Sequence, residues 1–257
     1  MDAFMISVNE VLHDEISVVT NTLRLPHFPA DHKKASKCLT KIIDDIGEMS
    51  SKAQNIGATL TTANKLQNSQ HTLYLLKEAA ANGGKGEVIG LLRVGSRHLY
   101  LYDDQKGKTW EGSPLCIFDF YVMENRQHCG FGKMLLDFMM KVSCITPQEF
   151  AIDAPSKKLQ QFLHKYFACN LIWQGNNYCV LPGFFETQRE MQPWQPILFA
   201  LLKNIFVCIK IDHGLVLEIH ITNLGLVGFI LWIFFAPSNC TTFTPRRFVV
   251  YFFILSI

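Results

Sequence analysis

Apolar residues recur every three or four positions across His32–Gln54, near the start of the chain. This period brings them to one face and predicts an amphipathic α-helix. Before it, Met5–Val8 predicts a short strand and Pro26 and Pro29 interrupt the chain. After it, residues 56–70 are rich in Thr, Asn, Ser and Gln, which predicts a loop with a short helical piece. The apolar positions of the predicted helix are Leu39, Ile42, Ile43, Ile46 and Met49.

A block of strand-length apolar runs comes next. Turn signals rich in Gly, Asn and Pro separate the runs, as they do between successive β-strands. Between the first two runs, the cluster Gly83-Gly84-Lys85-Gly86 lacks the GxxxxGK[ST] spacing of a phosphate-binding loop and predicts a hairpin turn. The four predicted strands are His71–Leu76, Val88–Val94, His98–Asp103 and Leu115–Met123.

Helices and strands alternate through the following part of the chain. A turn with two glycines leads into a predicted helix over residues 130–143, and a second helix is predicted over residues 156–166. The order of elements predicts an α+β fold, with a mixed, mostly antiparallel sheet flanked by helices in one domain over residues 1–188. The three short strands predicted beside these helices are Glu149–Ile152, Leu171–Trp173 and Tyr178–Leu181.

Composition narrows the class of protein. With 49% hydrophobic and 18% charged residues, the chain is neither disordered nor collagen-like. A net charge of +2 is too balanced to indicate a nucleic-acid binder. The eight cysteines are widely spaced and include no CxxC, so we expect neither a metal site nor a disulfide framework. No basic segment precedes an apolar core at the start, which predicts no signal peptide and a reducing, cytosolic protein.

The end of the chain, residues 189–257, is a hydrophobic tail of different composition. Its uncharged run Leu224–Ala236 has 13 residues, too few on their own to cross a hydrocarbon core of roughly 30 Å. Extension back to Leu215 adds Glu218 and His220, which are costly at membrane depth. Three interpretations stay open: a membrane segment, extra core on the domain, or an alternative C-terminus without an evolved role.

The chemistry begins where the apolar strand Phe118–Val122 runs into the two-glycine turn. Gln127, Gly130 and Gly132 follow the pattern Gln-x-x-Gly-x-Gly, and Arg126 adds a positive charge. Glycines let a phosphate approach the backbone. The first N–H groups of the following helix have no intrahelical partner and lie at the positive end of its dipole. The pattern predicts a pyrophosphate cradle, and a plain turn is the alternative.

This turn resembles the acetyl-CoA-binding motif of the GCN5-related N-acetyltransferases (GNAT). Four separated blocks carry a more specific resemblance: Lys52-Ala53-Gln54-Asn55, Pro114–Tyr121, Ala151–Ser156 and Gly183-Phe184-Phe185. In order and spacing they are similar to the alpha-tubulin N-acetyltransferase family, over roughly residues 1–188. The resemblance implies transfer of acetyl from acetyl-CoA to one lysine, on the alpha-tubulin loop that faces the microtubule lumen. It also implies a cytoplasmic enzyme on the microtubule cytoskeleton.

The same resemblance implies the site residues. Gln54, Cys116 and Asp153 match the catalytic positions of the family. Residues 120–133 match its first cofactor segment and residues 156–165 its second, although the lysines of the second could equally form a solvated basic face. The implied cofactor-binding residues are Phe120, Tyr121, Val122, Arg126, Gln127, His128, Cys129, Gly130, Phe131, Gly132, Lys133, Ser156, Lys157, Lys158 and Lys165.

The chemistry of these residue types suits the implied reaction. A lysine ammonium, with a reference pKa near 10.4, must lose a proton before it attacks a thioester. Asp153 could accept that proton, accept it through water, or orient the amine. Cys116 could be an acyl-carrying nucleophile, a proton shuttle or a small buried side chain. Gln54 cannot act as a base, but its amide can orient the substrate.

One departure from the family concerns the residue after Asp153. The family often has Arg there, and this chain has Ala154, which puts a substrate or cofactor contact in doubt. Two other functions therefore stay open. The chain could acetylate another protein lysine or a small amine, or it could bind microtubules without catalysis.

Overall fold

The computed structural model describes residues 7–25, 32–188, 215–223, 228–237 and 247–253. The chain divides into two units, Met1–Arg189 and Glu190–Ile257. The strands described in the first unit are β1 (Ile16–Val19), β2 (Thr72–Glu78), β3 (Glu87–Ser96), β4 (Leu99–Asp103), β5 (Lys108–Gly112), β6 (Leu115–Val122), β7 (Phe150–Asp153), β8 (Ile172–Trp173) and β9 (Tyr178–Val180). Its described helices are α1 (Val8–Val11), α2 (His32–Ala53), α3 (Ala63–Gln67), α4 (Ala81–Gly84), α5 (Phe131–Ser143), α6 (Lys157–Phe167) and α7 (Phe184–Thr187).

Seven strands form one sheet in the order β1-β2-β3-β6-β7-β9-β8. Neighbouring strands are antiparallel except β6 and β7, which run parallel. A parallel pair requires a crossover connection, and helix α5 supplies it here. Strands β4 and β5 pair as a separate two-stranded sheet. The predicted α+β fold with a mixed, mostly antiparallel sheet is confirmed.

Helices cover both faces of this sheet because its central strands are apolar on both sides. Leu91 and Leu92 are neighbours on β3 and point to opposite faces. Leu91 joins a buried cluster with Leu39 of α2. Leu92 joins a second cluster with Leu136 of α5 and Leu163 of α6. Burying one such leucine stabilises the fold by roughly 1.5–3 kcal/mol, so these two clusters hold α2, α5 and α6 on the sheet.

Several local predictions are confirmed and one is wrong. The long helix forms as α2, and the eight residues 79–86, with left-handed backbone at Asn82 and Gly83, join β2 to β3 as an antiparallel hairpin. The strand predicted over Met5–Val8 is wrong at its described end. Ser7 caps helix α1 there, its Oγ accepting the Glu10 N–H at 3.3 Å. Residues 5 and 6 lie outside the described residues.

Two strands had no prediction. β1 is a strand of only four residues beside charged residues. It forms because it pairs with the edge of β2. β5 has a mostly polar sequence and lies in the stretch interpreted as a turn. It is held by its pairing with β4, from Leu99 opposite Gly112 to Asp103 opposite Lys108. Pairing partners therefore decided both elements.

The second unit contains β10 (Leu215–Asn223), β11 (Gly228–Pro237) and β12 (Arg247–Phe253), paired antiparallel in that order. Most of the apolar run Leu224–Ala236 falls in β11, and residues 224–227 lie outside the described residues. Within the described part of the chain, no helix is long and apolar enough to cross a membrane. The three interpretations of the tail stay open.

Candidate active site

The candidate site forms where the parallel strands β6 and β7 part. Three register pairs join them, and the last sets Ile117 opposite Ile152. The pairing of β6 with β3 also shifts register here. Arg93 pairs with Asp119, but Val94 pairs with Ile117 and not with Phe118, as a regular antiparallel ladder would require. Phe118 is thus the extra residue of a β-bulge, which bends its strand. The bulge lies at the point where β6 leaves β7.

Cys116 and Asp153 lie on either side of this point. Cys116 is fully buried and its thiol donates to the Pro114 carbonyl at 3.5 Å. Burial, with the negative charge of Asp153 as a second cause, raises the pKa of this thiol to about 12. Arg97 lowers this pKa through its backbone hydrogen bond and its charge, but burial outweighs it, so the thiol is protonated at neutral pH.

Asp153 is the last residue of β7 and is half-buried. It stands opposite Tyr178 in the β7–β9 ladder. Burial raises the pKa of the Tyr178 phenol to about 12, and the neighbouring Asp153 carboxylate, which accepts its hydrogen bond, adds to the rise. Tyr178 was not predicted as a site residue, since a tyrosine in an apolar strand carries no signal of such a partner. The Tyr178 hydroxyl thus anchors the carboxylate.

Gln54 lies just beyond the end of α2 and is half-buried. Its Nε2 donates to Asp119 Oδ1 at 3.0 Å and to Ser50 Oγ at 2.8 Å. Thr61 also donates to Asp119, at 2.6 Å. The structure therefore ties Gln54 to a buried carboxylate that the sequence prediction missed. The signal was a single acidic residue inside the apolar strand Phe118–Val122.

A cation and two rings lie beside this carboxylate. Arg93 is 9% exposed, and its guanidinium lies 5.6 Å from the centre of the Phe118 ring. Its Nη1 is 3.4 Å from His71 Nδ1, and His71 stacks on Phe118 at 4.5 Å. Burial lowers the pKa of Arg93, and the charges of Asp119 and Asp153 oppose that change. The pKa of His71 is lowered by burial and by Arg93, so its neutral ring accepts from the guanidinium.

The two-glycine turn lies at the other end of β6. Gln127 Nε2 donates to the Val122 carbonyl at 2.9 Å and pins the turn to the strand. His128 and Gly130 have positive φ angles of 64° and 89°, and α5 begins at Phe131. The free N–H groups of the first turn of α5 therefore face out of the helix end, next to a backbone that folds back on itself. This arrangement suits an anion.

The two glycines meet different requirements. A Cβ on Gly130 would touch nothing within 4 Å, so Gly130 is needed for its left-handed backbone. A Cβ on Gly132 would lie 3.3 Å from Phe120 and 3.4 Å from Phe162. These two rings stack at 5.4 Å and join β6 to α6. Gly132 is therefore needed for space.

The structure places the other residues of the first cofactor segment in three ways. The side chains of Tyr121 and Val122 are buried in the two cores, so only their backbone could face a cofactor. Phe131 packs at the edge of a core, and His128 and Cys129 are exposed. Two of the cations are paired within the protein.

Those two cations are Arg126 and Lys133. The Arg126 guanidinium lies 2.8 Å from Glu78. Lys133 lies 2.7 Å from Asp137, which also accepts from the Tyr166 hydroxyl, and its ammonium is 5.0 Å from the Tyr166 ring centre. Both pairs are partly exposed, where such pairs contribute little to stability. Either cation can therefore exchange its partner for a phosphate at small cost.

The second cofactor segment begins at the N-terminus of α6. Ser156 caps this helix, since its Oγ accepts the Leu159 N–H at 3.3 Å. Lys157, Lys158 and Lys165 are all exposed. Lys157 and Lys158 lie in the first turn, beside the free N–H groups, whereas Lys165 lies about two turns further along. The first two are better placed for a phosphate than the third.

A groove of about 750 Å³ lies between β1 and α5. Ile16 and Val18 line one side, Met134 and Phe138 line the other, and Gly130 reaches one end. Neither Cys116 nor Asp153 lines it. The groove therefore lies apart from Cys116 and Asp153, and it borders the glycine turn at Gly130 and Lys133.

Known proteins that resemble this chain agree on one family. A family model described as "GNAT acetyltransferase, Mec-17" matches residues 4–197. An alpha-tubulin N-acetyltransferase 1 from Danio rerio is 40% identical over 190 residues, which cover 74% of this chain and 64% of that protein. An alpha-tubulin N-acetyltransferase from Aedes aegypti is 38% identical over 192 residues (73% of this chain, 70% of that protein). One from Trichoplax adhaerens is 38% identical over 200 residues (73% and 84%). The chain thus spans a little under two thirds of the Danio rerio relative.

Proposed function

Because the chain belongs to the Mec-17 family of GNAT acetyltransferases, we propose that it transfers the acetyl group of acetyl-CoA to a lysine side chain of alpha-tubulin. The relatives are named for this activity. The finer assignment, the lysine on the loop that faces the microtubule lumen, follows from the four blocks of family resemblance. So does the expected location of the protein on the microtubule cytoskeleton.

One observation carries the proposal: β6 has a different kind of site at each end. Near its start, β7 parts from it and Asp153 lies beside the gap. At its end, the strand runs into the anion-binding turn before α5. The seven residues from Cys116 to Val122, six steps along a strand, span about 20 Å. An extended molecule with a reactive group at one end and phosphates further along would lie on β6 and reach both.

The residues fit acetyl-CoA. The backbone N–H groups after Gly130, together with Arg126 and Lys133, would hold its pyrophosphate. The gap between β6 and β7 would admit its narrow, extended arm. Bound acetyl-CoA supplies a thioester carbonyl that an amine can attack. The remaining chemistry, which falls to the protein, is to orient the lysine and to take its proton.

Asp153 is the residue proposed to take that proton, directly or through a water molecule. Its carboxylate is half-buried at the gap, and the Tyr178 hydroxyl holds one side of it. A proton acceptor placed in this way contributes typically 10²–10⁴-fold to rate. The lysine nitrogen forms a bond to the acetyl carbon, the carbon–sulfur bond breaks, and the CoA thiolate leaves and is protonated.

Cys116 does not carry the acetyl group in this proposal. Its pKa of about 12 leaves it as a thiol, which is a poor nucleophile. It is also fully buried in the cluster with Ala151 and Val180. Both features favour direct attack by the lysine over a covalent acetyl-cysteine.

The test uses the full chain with microtubules and acetyl-CoA, and mass spectrometry to locate new acetyl-lysine. We expect acetylation of alpha-tubulin, and a loss of at least 100-fold in Asp153→Asn with acetyl-CoA affinity retained. Asp104→Asn changes an exposed carboxylate elsewhere and is the matched control. If acetyl-CoA binds but alpha-tubulin stays unmodified, the substrate assignment is wrong, and other amines are the next substrates to try.

A further inference from the structure

Asp119 is a buried carboxylate with three side-chain donors. It is 3% exposed. Its Oδ1 accepts from Ser50 Oγ at 2.7 Å and from Gln54 Nε2 at 3.0 Å, and its Oδ2 accepts from Thr61 Oγ1 at 2.6 Å. A charge in the interior is costly unless hydrogen bonds replace its water. These bonds to an ionised acceptor are short and strong, so the cluster has one stable arrangement.

The cluster fixes which way the amide of Gln54 faces. Its nitrogen has two hydrogens, and they are directed to Asp119 Oδ1 and to Ser50 Oγ. The Ser50 hydroxyl gives its own hydrogen to Asp119, so its oxygen is free to accept from Gln54. A rotation of the amide by 180° would bring Oε1 against the carboxylate and lose both bonds. The negative charge of Asp119 therefore selects one of two orientations that are otherwise similar in shape.

This orientation leaves Oε1 as the atom that Gln54 can offer to a ligand. Oε1 is a hydrogen-bond acceptor, and a lysine amine needs an acceptor for one N–H while its lone pair faces the thioester. We propose that Asp119 is a positioning residue, which acts through Gln54 by holding its amide oxygen toward the substrate amine. The inference rests on the proposed function, since it assumes that an amine is the substrate.

The surroundings of the cluster agree with this role. Arg93 stands opposite Asp119 in the β3–β6 ladder, and its buried Nε has no hydrogen-bond partner among the described residues. The negative charge of Asp119 opposes the fall in the pKa of Arg93 that burial causes. Apolar residues of similar size often stabilise a core at least as well as a buried charged cluster does. Apolar residues in place of this cluster could not orient the Gln54 amide.

The first test measures the orientation without any enzyme assay. In the full chain labelled with ¹⁵N, hydrogen exchange of the Gln54 side-chain amide is followed by NMR, with exposed Gln67 as the internal control. We expect Gln54 to exchange at least tenfold more slowly than Gln67. The difference between the two exchange rates should become smaller in Asp119→Asn. It should also become smaller in Ser50→Ala, a variant that leaves the Asp119 carboxylate in place. Equal exchange rates of Gln54 and Gln67 in the wild type would overturn the proposal.

The second test is a double-mutant cycle on alpha-tubulin acetylation. We expect Asp119→Asn to lower kcat at least tenfold and to leave KM for acetyl-CoA within twofold. In a Gln54→Ala background, the same substitution should lower kcat less than twofold, because its effect passes through Gln54. Thr61→Val removes another hydrogen bond to Asp119, so it too should lower kcat less than twofold in the Gln54→Ala background.

The two tests separate this inference from the proposed function. If the fold-decreases in kcat caused by Asp119→Asn and by Gln54→Ala multiply in the double mutant, Asp119 does not act through Gln54. If the wild-type chain does not acetylate alpha-tubulin, the proposed function fails. The exchange measurement then still decides whether Asp119 orients Gln54.

Discussion

Ile117 of β6 stands opposite Ile152 of β7 in the last register pair that these parallel strands share. Beyond it β6 continues to Val122, whereas β7 ends at the next residue, Asp153. The end of the ladder leaves one side of β6 unpaired next to a carboxylate. Backbone groups without a ladder partner need another one. An extended ligand can supply it, which is why the end of this pairing matters for the proposed function.

Cys116 is expected to resist alkylation and to stay free of acetyl. With a pKa of about 12, its thiolate is about one part in ten thousand at pH 8, and burial blocks access. We expect iodoacetamide at pH 8 to modify exposed Cys129 and Cys144 and to spare Cys116, as read by mass spectrometry. An acetyl group on Cys116 after acid quenching of the reaction would contradict direct attack.

The free energy of unfolding is expected to fall as the pH rises from about 9 to about 12. Burial raises the pKa of both Cys116 and Cys179 from 9.0 to about 12. The folded state therefore keeps protons that the unfolded state releases. The stabilisation is fully present below pH 9 and is lost as the pH approaches 12. Urea unfolding at pH 7.5 and 10.5 measures the fall, which should be smaller in Cys179→Ala. An equal fall in both proteins would contradict the assignment.

Gly130→Ala and Gly132→Ala are expected to fail for different reasons. At Gly130 the left-handed backbone costs a residue with a Cβ about 1–2 kcal/mol, so the midpoint of urea unfolding should fall. At Gly132 the new methyl presses on Phe120 and Phe162, so the larger effect should be on acetyl-CoA affinity. Calorimetric titration of both variants compares them. A loss of affinity confined to Gly130→Ala would contradict this division of roles.

Ala154→Arg is expected to raise kcat/KM for acetylation. Ala154 is exposed directly after Asp153, and its N–H donates to the Asn177 carbonyl at 3.0 Å. Its φ of 39° is unfavourable for alanine and arginine alike, so the substitution adds no backbone strain. A guanidinium there restores the charge that the resemblance leads one to expect beside the gap. Ala154→Gln, of similar length without charge, is the control, and no gain over it would contradict the prediction.

Much of the fold could be predicted from local patterns. The period of apolar residues gave α2, α5 and α6, and the turn signals gave the hairpin between β2 and β3. Local patterns did not give β1 and β5, because a short or polar strand becomes stable only when a neighbour pairs with it. The resemblance to a family was confirmed, and its site residues remain predictions.

What the sequence determined by itself is the family, the elements and the candidate site residues that those elements hold. Resemblance to the family proposed Gln54 and Asp153 as site residues, and the spacing of Gly130 and Gly132 before a helix predicted the turn. The tertiary structure decided the partners. Asp119 is 65 residues from Gln54 in the chain and only 3.0 Å away in space, because α2 packs on the face of the sheet that Asp119 shares. Hydrogen bonds and charges act over a few ångströms, and only folding brings distant residues that close.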